Sequence, residues 1–299
     1  MQHSERSGQL YAVAGFAVLS AGDAVVKTMA GEWPPVAVAA LRFSIGAVLL
    51  AVLVAWREGL GRLWPGRPAL QFFRGFCLAS ASLLFFSAVY LMPLAEAISL
   101  AFLTPIFTAL LSGPLLGERV RPVVWGASGM AMVGVMIVLR PNLENFGLVA
   151  MFPIGAALFF SLMVIANRAS AKRGSAISMQ FYMNAVAAPL LIAAAFLFDW
   201  TDFSVVDPLV PDWSVIARCA LVAVTASTAH LLIFLGTTRA GASSVAPMTY
   251  VQIIVTLFFG WWWFDHIPDA LTFLGVAIII TSGLFLWHRM ELNRPSQLN

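Results

Sequence analysis

Pro93-Leu94-Ala95-Glu96-Ala97, running on through Thr104-Pro105 to Leu116-Gly117-Glu118, is echoed later in the chain. The echo is Ala240-Gly241-Ala242-Ser243-Ser244, then Tyr250-Val251-Gln252 and Trp263-Phe264-Asp265. Glu118 lies thirteen positions after Pro105, and Asp265 lies thirteen positions after Gln252. Arg74 and Arg218 add a second correspondence, since each opens the third apolar segment of its half. Working outward from these matches, the chain divides into ten apolar segments of about twenty residues, the helical length that crosses about 30 Å of hydrocarbon. They fall at roughly 9–30, 35–56, 69–91, 94–117, 122–140, 147–167, 177–198, 214–238, 242–264 and 269–288. Turn residues such as Trp33-Pro34-Pro35, Pro65-Gly66-Arg67-Pro68 and Arg140-Pro141-Asn142 separate them.

The pattern predicts an all-α integral membrane fold of ten transmembrane helices. Residues 1–141 hold one run of five and residues 142–299 the other. Five is odd, so the second run crosses in the opposite sense to the first, giving two inverted five-helix repeats. Alternating-access transporters are built this way.

Composition agrees. With 61% hydrophobic and 10% charged residues in 299, the chain has too little polar surface for a soluble globule. The formal net charge of +3 comes from dispersed Lys and Arg at helix ends, which points to topology and not to a nucleic-acid partner. From Arg6, Arg57 and Arg62 to Arg239 and Arg289, the basic residues collect on one side, while the other has only Arg140 at a helix end. The positive-inside rule then puts both termini in the cytoplasm and the stretch 199–213, with its four aspartates, outside. The first segment is too long for a cleaved signal and lacks a small-residue cleavage site, so it is expected to remain as helix 1. Cys77 and Cys219 lie in apolar segments and read as packing residues, not as a disulfide or a metal site. No cofactor is expected. Gly126, Gly129 and Gly134, with Gly275 and Gly283, would permit close contact in helices 5 and 10, so a monomer and a homodimer both stay open.

Several of these stretches resemble the drug/metabolite transporter superfamily, and within it the EamA-type proteins. The matching residues are Gly22-Asp23-Ala24-Val25-Val26-Lys27, Ala40-Leu41-Arg42-Phe43, Met92-Pro93-Leu94-Ala95-Glu96-Ala97 through to Glu118-Arg119, and Gly134-Val135 through to Arg140-Pro141. The resemblance covers nearly the whole chain. It implies a central cavity lined mainly by helices 1, 3, 4, 6, 8 and 9, with helices 5 and 10 at the periphery. Asp265-His266 departs from the family pattern, which commonly has Gly-Glu there, and Arg42 has only Asn184 as its approximate counterpart. The charged half of any site is therefore expected in the first repeat.

Charges at membrane depth cost several kcal/mol unless paired or wetted, so those present are the candidate site residues. Asp23 and Lys27 lie one turn apart on a single face, and Arg42 and Glu96 lie at similar depth in the outer half. One reading is a structural network that pairs Asp23 with Lys27 and Arg42 with Glu96. The other has Arg42 or Lys27 attracting a substrate carboxylate or phosphate while Asp23 or Glu96 takes an ammonium or a proton. Tyr90, Asn184, Tyr250 and Gln252 complete the candidate substrate-binding set. Glu96, Asp23 and His230 are the candidates for proton coupling, His230 being also readable as a satisfied core histidine. Pro105, Pro114 and Pro247 would each free a backbone carbonyl in helices 4 and 9.

An integral-membrane enzyme would need a metal cluster, a paired-carboxylate motif or a nucleophile with its base, and the spans offer none of these. A channel would ordinarily show rings of like residues. A receptor without transport would need larger extramembrane regions. The expectation is a secondary transporter in a bacterial-type cytoplasmic membrane, moving a small amphoteric or anionic metabolite or drug-like solute on a gradient. Its partners would be that solute and the lipid bilayer.

Overall fold

The computed structural model describes residues 2–92, 94–117, 122–139, 147–170, 174–200, 211–264 and 270–292. Among the described residues there are helices and no strand. That is the architecture lipid demands of an open chain, because a helix satisfies its own backbone polar groups. In chain order the helices are α1 (Gln2–Lys27), α2 (Pro35–Glu58), α3 (Pro68–Leu91), α4 (Leu94–Ala101), α5 (Thr104–Leu116) and α6 (Pro122–Leu139). They continue with α7 (Met151–Ala169), α8 (Ala176–Trp200), α9 (Trp213–Ala240), α10 (Ala242–Val245), α11 (Val251–Phe264) and α12 (Ala270–Leu292). Proline opens α2 and α3, where its missing N–H has no ladder partner to lose.

Among the described residues, six stretches are long and apolar enough to cross a membrane: Glu5–Lys27, Pro35–Glu58, Pro68–Leu91, Gly147–Ala169, Ala176–Leu197 and Trp213–Ala240. The expected fourth and ninth spans are not continuous helices. The fourth breaks between Ala101 and Thr104, with Pro105 in the first turn of α5. The ninth runs α10, then a 3-10 turn over Ala246–Tyr250 that carries Pro247, then α11. Each proline thus begins a new segment where the sequence reading had it kink a single one.

Packing pairs the two halves. The helix α1 lies along α9 and α3 lies along α7, while α2 packs on α8 and α6 on α12. Exchanging α1 with α7, α2 with α8, α3 with α9 and α6 with α12 turns the first pair into the second and leaves the other two unchanged. The α1–α9 seam is close because it is built on glycine. A methyl group on Gly15 would sit 2.8 Å from Ala229 O, and one on Gly236 2.6 Å from Gly8 O. The α6 glycines do something else: a methyl on Gly126 or Gly129 would meet nothing within 4 Å, so these two do not make the α6–α12 contact.

The largest buried cluster joins α1, α2, α3, α7, α8 and α9 through residues such as Val26, Phe43, Leu78, Met163, Met183 and Val222. Cys77 and Cys219 are free thiols within it. The outside is apolar too, with Val52, Trp56, Phe196, Leu221 and Phe273 exposed, as a lipid-facing surface requires. Residues 201–210 of the expected outer loop, Arg140, Glu118 and the Asp265-His266 pair lie outside the described residues.

Candidate functional site

Both helix breaks open onto a cavity in the middle of the bundle. At the first, Thr104 Oγ1 donates to Ala101 O at 2.7 Å; at the second, Thr249 Oγ1 donates to Ala246 O at 2.5 Å. Each hydroxyl covers a carbonyl near the interruption of the helical ladder. The same two threonines line the cavity with Asp23 of α1, Arg42 of α2, Ser82 and Phe86 of α3, Phe160 of α7, His230 of α9 and Gln252 of α11. Together with the solvent at its mouth, the empty space is about 590 Å³.

Arg42 and Asp23 are its charged groups, at 5% and 7% exposure. The guanidinium is gripped on its faces, with its carbon 4.0 Å from the Phe43 ring centroid and 4.7 Å from that of Phe86. Arg42 Nη2 donates to Ser82 Oγ at 2.8 Å, while Nε is buried with no hydrogen-bond partner. Asp23 has neither a hydrogen bond nor an ion pair among the described residues. Each group feels the other's charge without touching it. An acid and a guanidinium held apart on one cavity can receive a solute's cationic and anionic groups at the same time.

The sequence-based candidates divide. Asp23, Arg42, His230 and Gln252 come together on the cavity. His230 keeps its Nδ1 buried without a partner, its ring 6.1 Å from that of Phe160. Lys27 does not pair with Asp23: its Nζ donates to Val89 O at 2.6 Å and Met92 O at 3.3 Å, carbonyls at the C-terminal end of α3. Tyr90 donates to Met29 O at 3.1 Å, beside that same helix end. Asn184 faces Gly46 of α2 and donates to Gln180 O one turn back at 2.9 Å. Tyr250 points its hydroxyl at Ser128 O, 3.5 Å away, with its ring edge-on to Phe102. Glu96 lies within α4, with its side chain outside those described. The sequence reading missed Ser82, Thr249 and Phe160. Ser82 and Thr249 carried the signal of a polar residue in an apolar segment, whereas Phe160 carried none.

Arginines tie the bundle on either side of the cavity. Arg74, which the sequence placed at a helix opening, is fully buried. Its Nε and Nη2 both donate to Asn167 Oδ1, at 2.9 and 2.8 Å, and its Nη1 donates to Gln71 Oε1 at 2.5 Å and Met179 O at 3.3 Å. Phe234 of α9 lies under the guanidinium at 5.2 Å. Arg218 instead binds the end of α1, donating to Thr28 O at 2.9 Å and to both carboxylate oxygens of Glu32.

Similarity to known proteins runs the length of the chain. The pseudopaline exporter of Pseudomonas aeruginosa is 28% identical over 282 residues, 94% of this chain and 96% of that one. The S-adenosylmethionine uptake transporter of Rickettsia bellii is 27% identical over 270 residues, 89% and 88% of the two chains. The riboflavin transporter of Rhizobium johnstonii is 27% identical over 207 residues, 68% and 64%. A solved crystal structure covers 97% of this chain and all of its own with a TM-score of 0.75 at 22% identity, which is likeness of fold. These relatives are transporters of small molecules and not enzymes, and the chain is a multi-pass membrane transporter of the same kind. The EamA-like transporter family matches twice, over residues 6–140 and again over 146–287, and it is to this family that the chain belongs.

Proposed function

We propose that the protein is a secondary active transporter that moves a small amphoteric or anionic organic solute by alternating access. Ten crossings form two inverted five-helix repeats, 1–141 and 142–299, in a bacterial-type cytoplasmic membrane with both termini inside. The double family match and the exchange-symmetric helix pairing support the repeats. The one-sided basic residues support the orientation. The observation that carries the solute class is the separation of Arg42 from Asp23 across one cavity, each with hydrogen-bonding capacity unfilled by the described residues. A carboxylate or phosphate on Arg42 and an ammonium on Asp23 would neutralise both. Pseudopaline, S-adenosylmethionine and riboflavin are what the relatives are named for carrying, one named as an exporter and one as an uptake transporter. Transport is linked to protons through Glu96 or Asp23, with His230 tuning that step.

A thermal-shift screen of the purified protein against amino acids, S-adenosylmethionine, riboflavin and opine-type amino-carboxylates tests the solute class. A true solute at a hundred times its Kd stabilises by about 2.7 kcal/mol. In liposomes, Arg42→Gln abolishes flux of the solute so found while the protein remains folded, and Arg42→Lys rescues it poorly if recognition is bidentate. Normal flux in folded Arg42→Gln would remove Arg42 from the binding site.

A further inference from the structure

Away from the central cavity, a recess is lined by Glu58, Arg62, Trp64, Ser175, Met179 and Tyr182. Its rim is latched. Ser175 and Ser178 donate to the Glu58 carboxylate at 2.5 and 2.6 Å, and Tyr182 donates to Arg62 O at 2.6 Å. Met179 belongs both to this recess and to the surroundings of Arg74, whose Nη1 reaches its carbonyl. On the cavity side, the ring beneath Arg74 is Phe234, one turn along α9 from the cavity-lining His230. Arg74 therefore touches a residue of the recess, Met179, on one side and, on another, Phe234, which lies a turn of α9 away from the cavity wall.

Its partners are the wrong kind for a purely structural cation. Asn167, Gln71 and Met179 offer neutral oxygens, and no carboxylate among the described residues reaches this fully buried guanidinium. A buried charge without a counter-ion is expensive, and a neutral side chain of similar volume would join α3, α7, α8 and α9 at less cost. The Nε–Nη2 edge, which takes a carboxylate or phosphate in two parallel bonds, is filled here by the single oxygen of Asn167. A carboxylate or phosphate would add to these bonds the attraction of opposite charges and a second parallel N–H···O bond on the same edge, neither of which a single amide oxygen supplies, so an arriving anion displaces the amides.

We propose that Arg74 is a second anion site, distinct from Arg42, which receives the carboxylate or phosphate of the transported solute as it passes between the central cavity and the Glu58–Tyr182 recess. Asn167 and Gln71 act as stand-in acceptors that hold the passage shut when no anion is there. The proposal rests on the reading of the chain as a carrier of an anionic or amphoteric solute.

The test follows thermal unfolding of the purified full chain against sodium acetate and sodium phosphate, with sodium chloride at matched ionic strength as the control. Wild type and Arg42→Gln both gain about 2 °C or more once acetate reaches ten times its Kd. Asn167→Asp gives Arg74 a built-in counter-ion, so combined with Arg42→Gln it removes the remaining acetate and phosphate effect. Arg74→Gln in the same background does likewise; if that protein does not fold, Asn167→Asp decides alone. An anion effect in Arg42→Gln that Asn167→Asp leaves unchanged overturns the proposal, and so does the absence of any effect in Arg42→Gln. An effect of equal size in wild type and Arg42→Gln that Asn167→Asp abolishes upholds Arg74 and instead counts against Arg42 as the solute's anion site.

Discussion

Arg74 and Arg218 occupy corresponding places in α3 and α9, and each reaches to the end of a helix from the other half, yet the two ends of the bundle are built differently. Arg74 is fully buried and held by neutral amides from Asn167 and Gln71. Arg218 is 25% exposed and holds the carboxylate of Glu32, itself 44% exposed, together with Thr28 O. The residue after each follows suit. Gly75 is pressed against Val186 and Met183 O of α8, whereas Cys219 has room for a thiol 3.8 Å from Met29 Sδ. The bundle thus closes one end with a dry, tightly packed knot and the other with a wet ion pair. Under the alternating-access cycle proposed above, the dry end is the one whose opening needs a substitute for its lost bonds, and the wet end can exchange its bonds for water.

The largest difference is expected when each arginine is removed. Arg74→Ala leaves the Asn167 and Gln71 amides unpaired beside a void and lowers stability by about 3 kcal/mol or more. Arg218→Ala removes a partly exposed pair and costs less than about 1 kcal/mol. Melting temperatures in one detergent decide it, and equal shifts would break the contrast between the ends.

Next in size is the neighbouring position. A methyl group on Gly75 would lie 2.4 Å from Val186 Cβ and 3.0 Å from Met183 O, so Gly75→Ala overpacks the α3–α8 contact and costs about 1–3 kcal/mol. Cys219→Ala, which only shortens a side chain, costs about 1 kcal/mol or less. Should Gly75→Ala melt with wild type, the dry end is looser than its contacts imply.

The sequence made the all-helical, apolar architecture and the presence of Asp23 and Arg42 at membrane depth legible, because apolar length and isolated charges survive any detail of packing. The directions of single side chains were less legible. Asp23 and Lys27 do share a helical face, but the four-carbon stem of Lys27 carries its ammonium to the free carbonyls at the end of α3, which outcompete a carboxylate that faces the cavity. Tyr250 closes a 3-10 turn, whose three-residue period shifts its phase away from Gln252, so one reaches the cavity and the other turns to Ser128. Asn184 matches Arg42 in position along the chain, yet its amide returns to its own helix at Gln180. Arg74 was read as a helix-end charge. Its burial depends on α7, α8 and α9 converging on it, and no local pattern encodes that convergence.

The smallest expected effect is a titration that only the wet end should show. The hydrogen bond from Arg218, opposed by burial and helped by the guanidinium charge, holds the Glu32 carboxyl below its ordinary value of 4.5. A carboxylate whose folded pKa is depressed contributes stability that is full above the unfolded value and lost as pH falls through the folded one. Wild type should therefore melt above Glu32→Gln at pH 7, by no more than the few tenths of a kcal/mol that an exposed pair supplies. That margin should shrink to nothing as the pH drops below 4.5, and also at 1 M salt, where screening acts within about 3 Å. At the dry end no described acid contacts Arg74, so the margin between wild type and Asn167→Ala should stay constant over the same pH range. A margin for Asn167→Ala that tracks pH as the Glu32→Gln margin does would mean that an acid serves Arg74 as well, and the two ends would differ in burial alone.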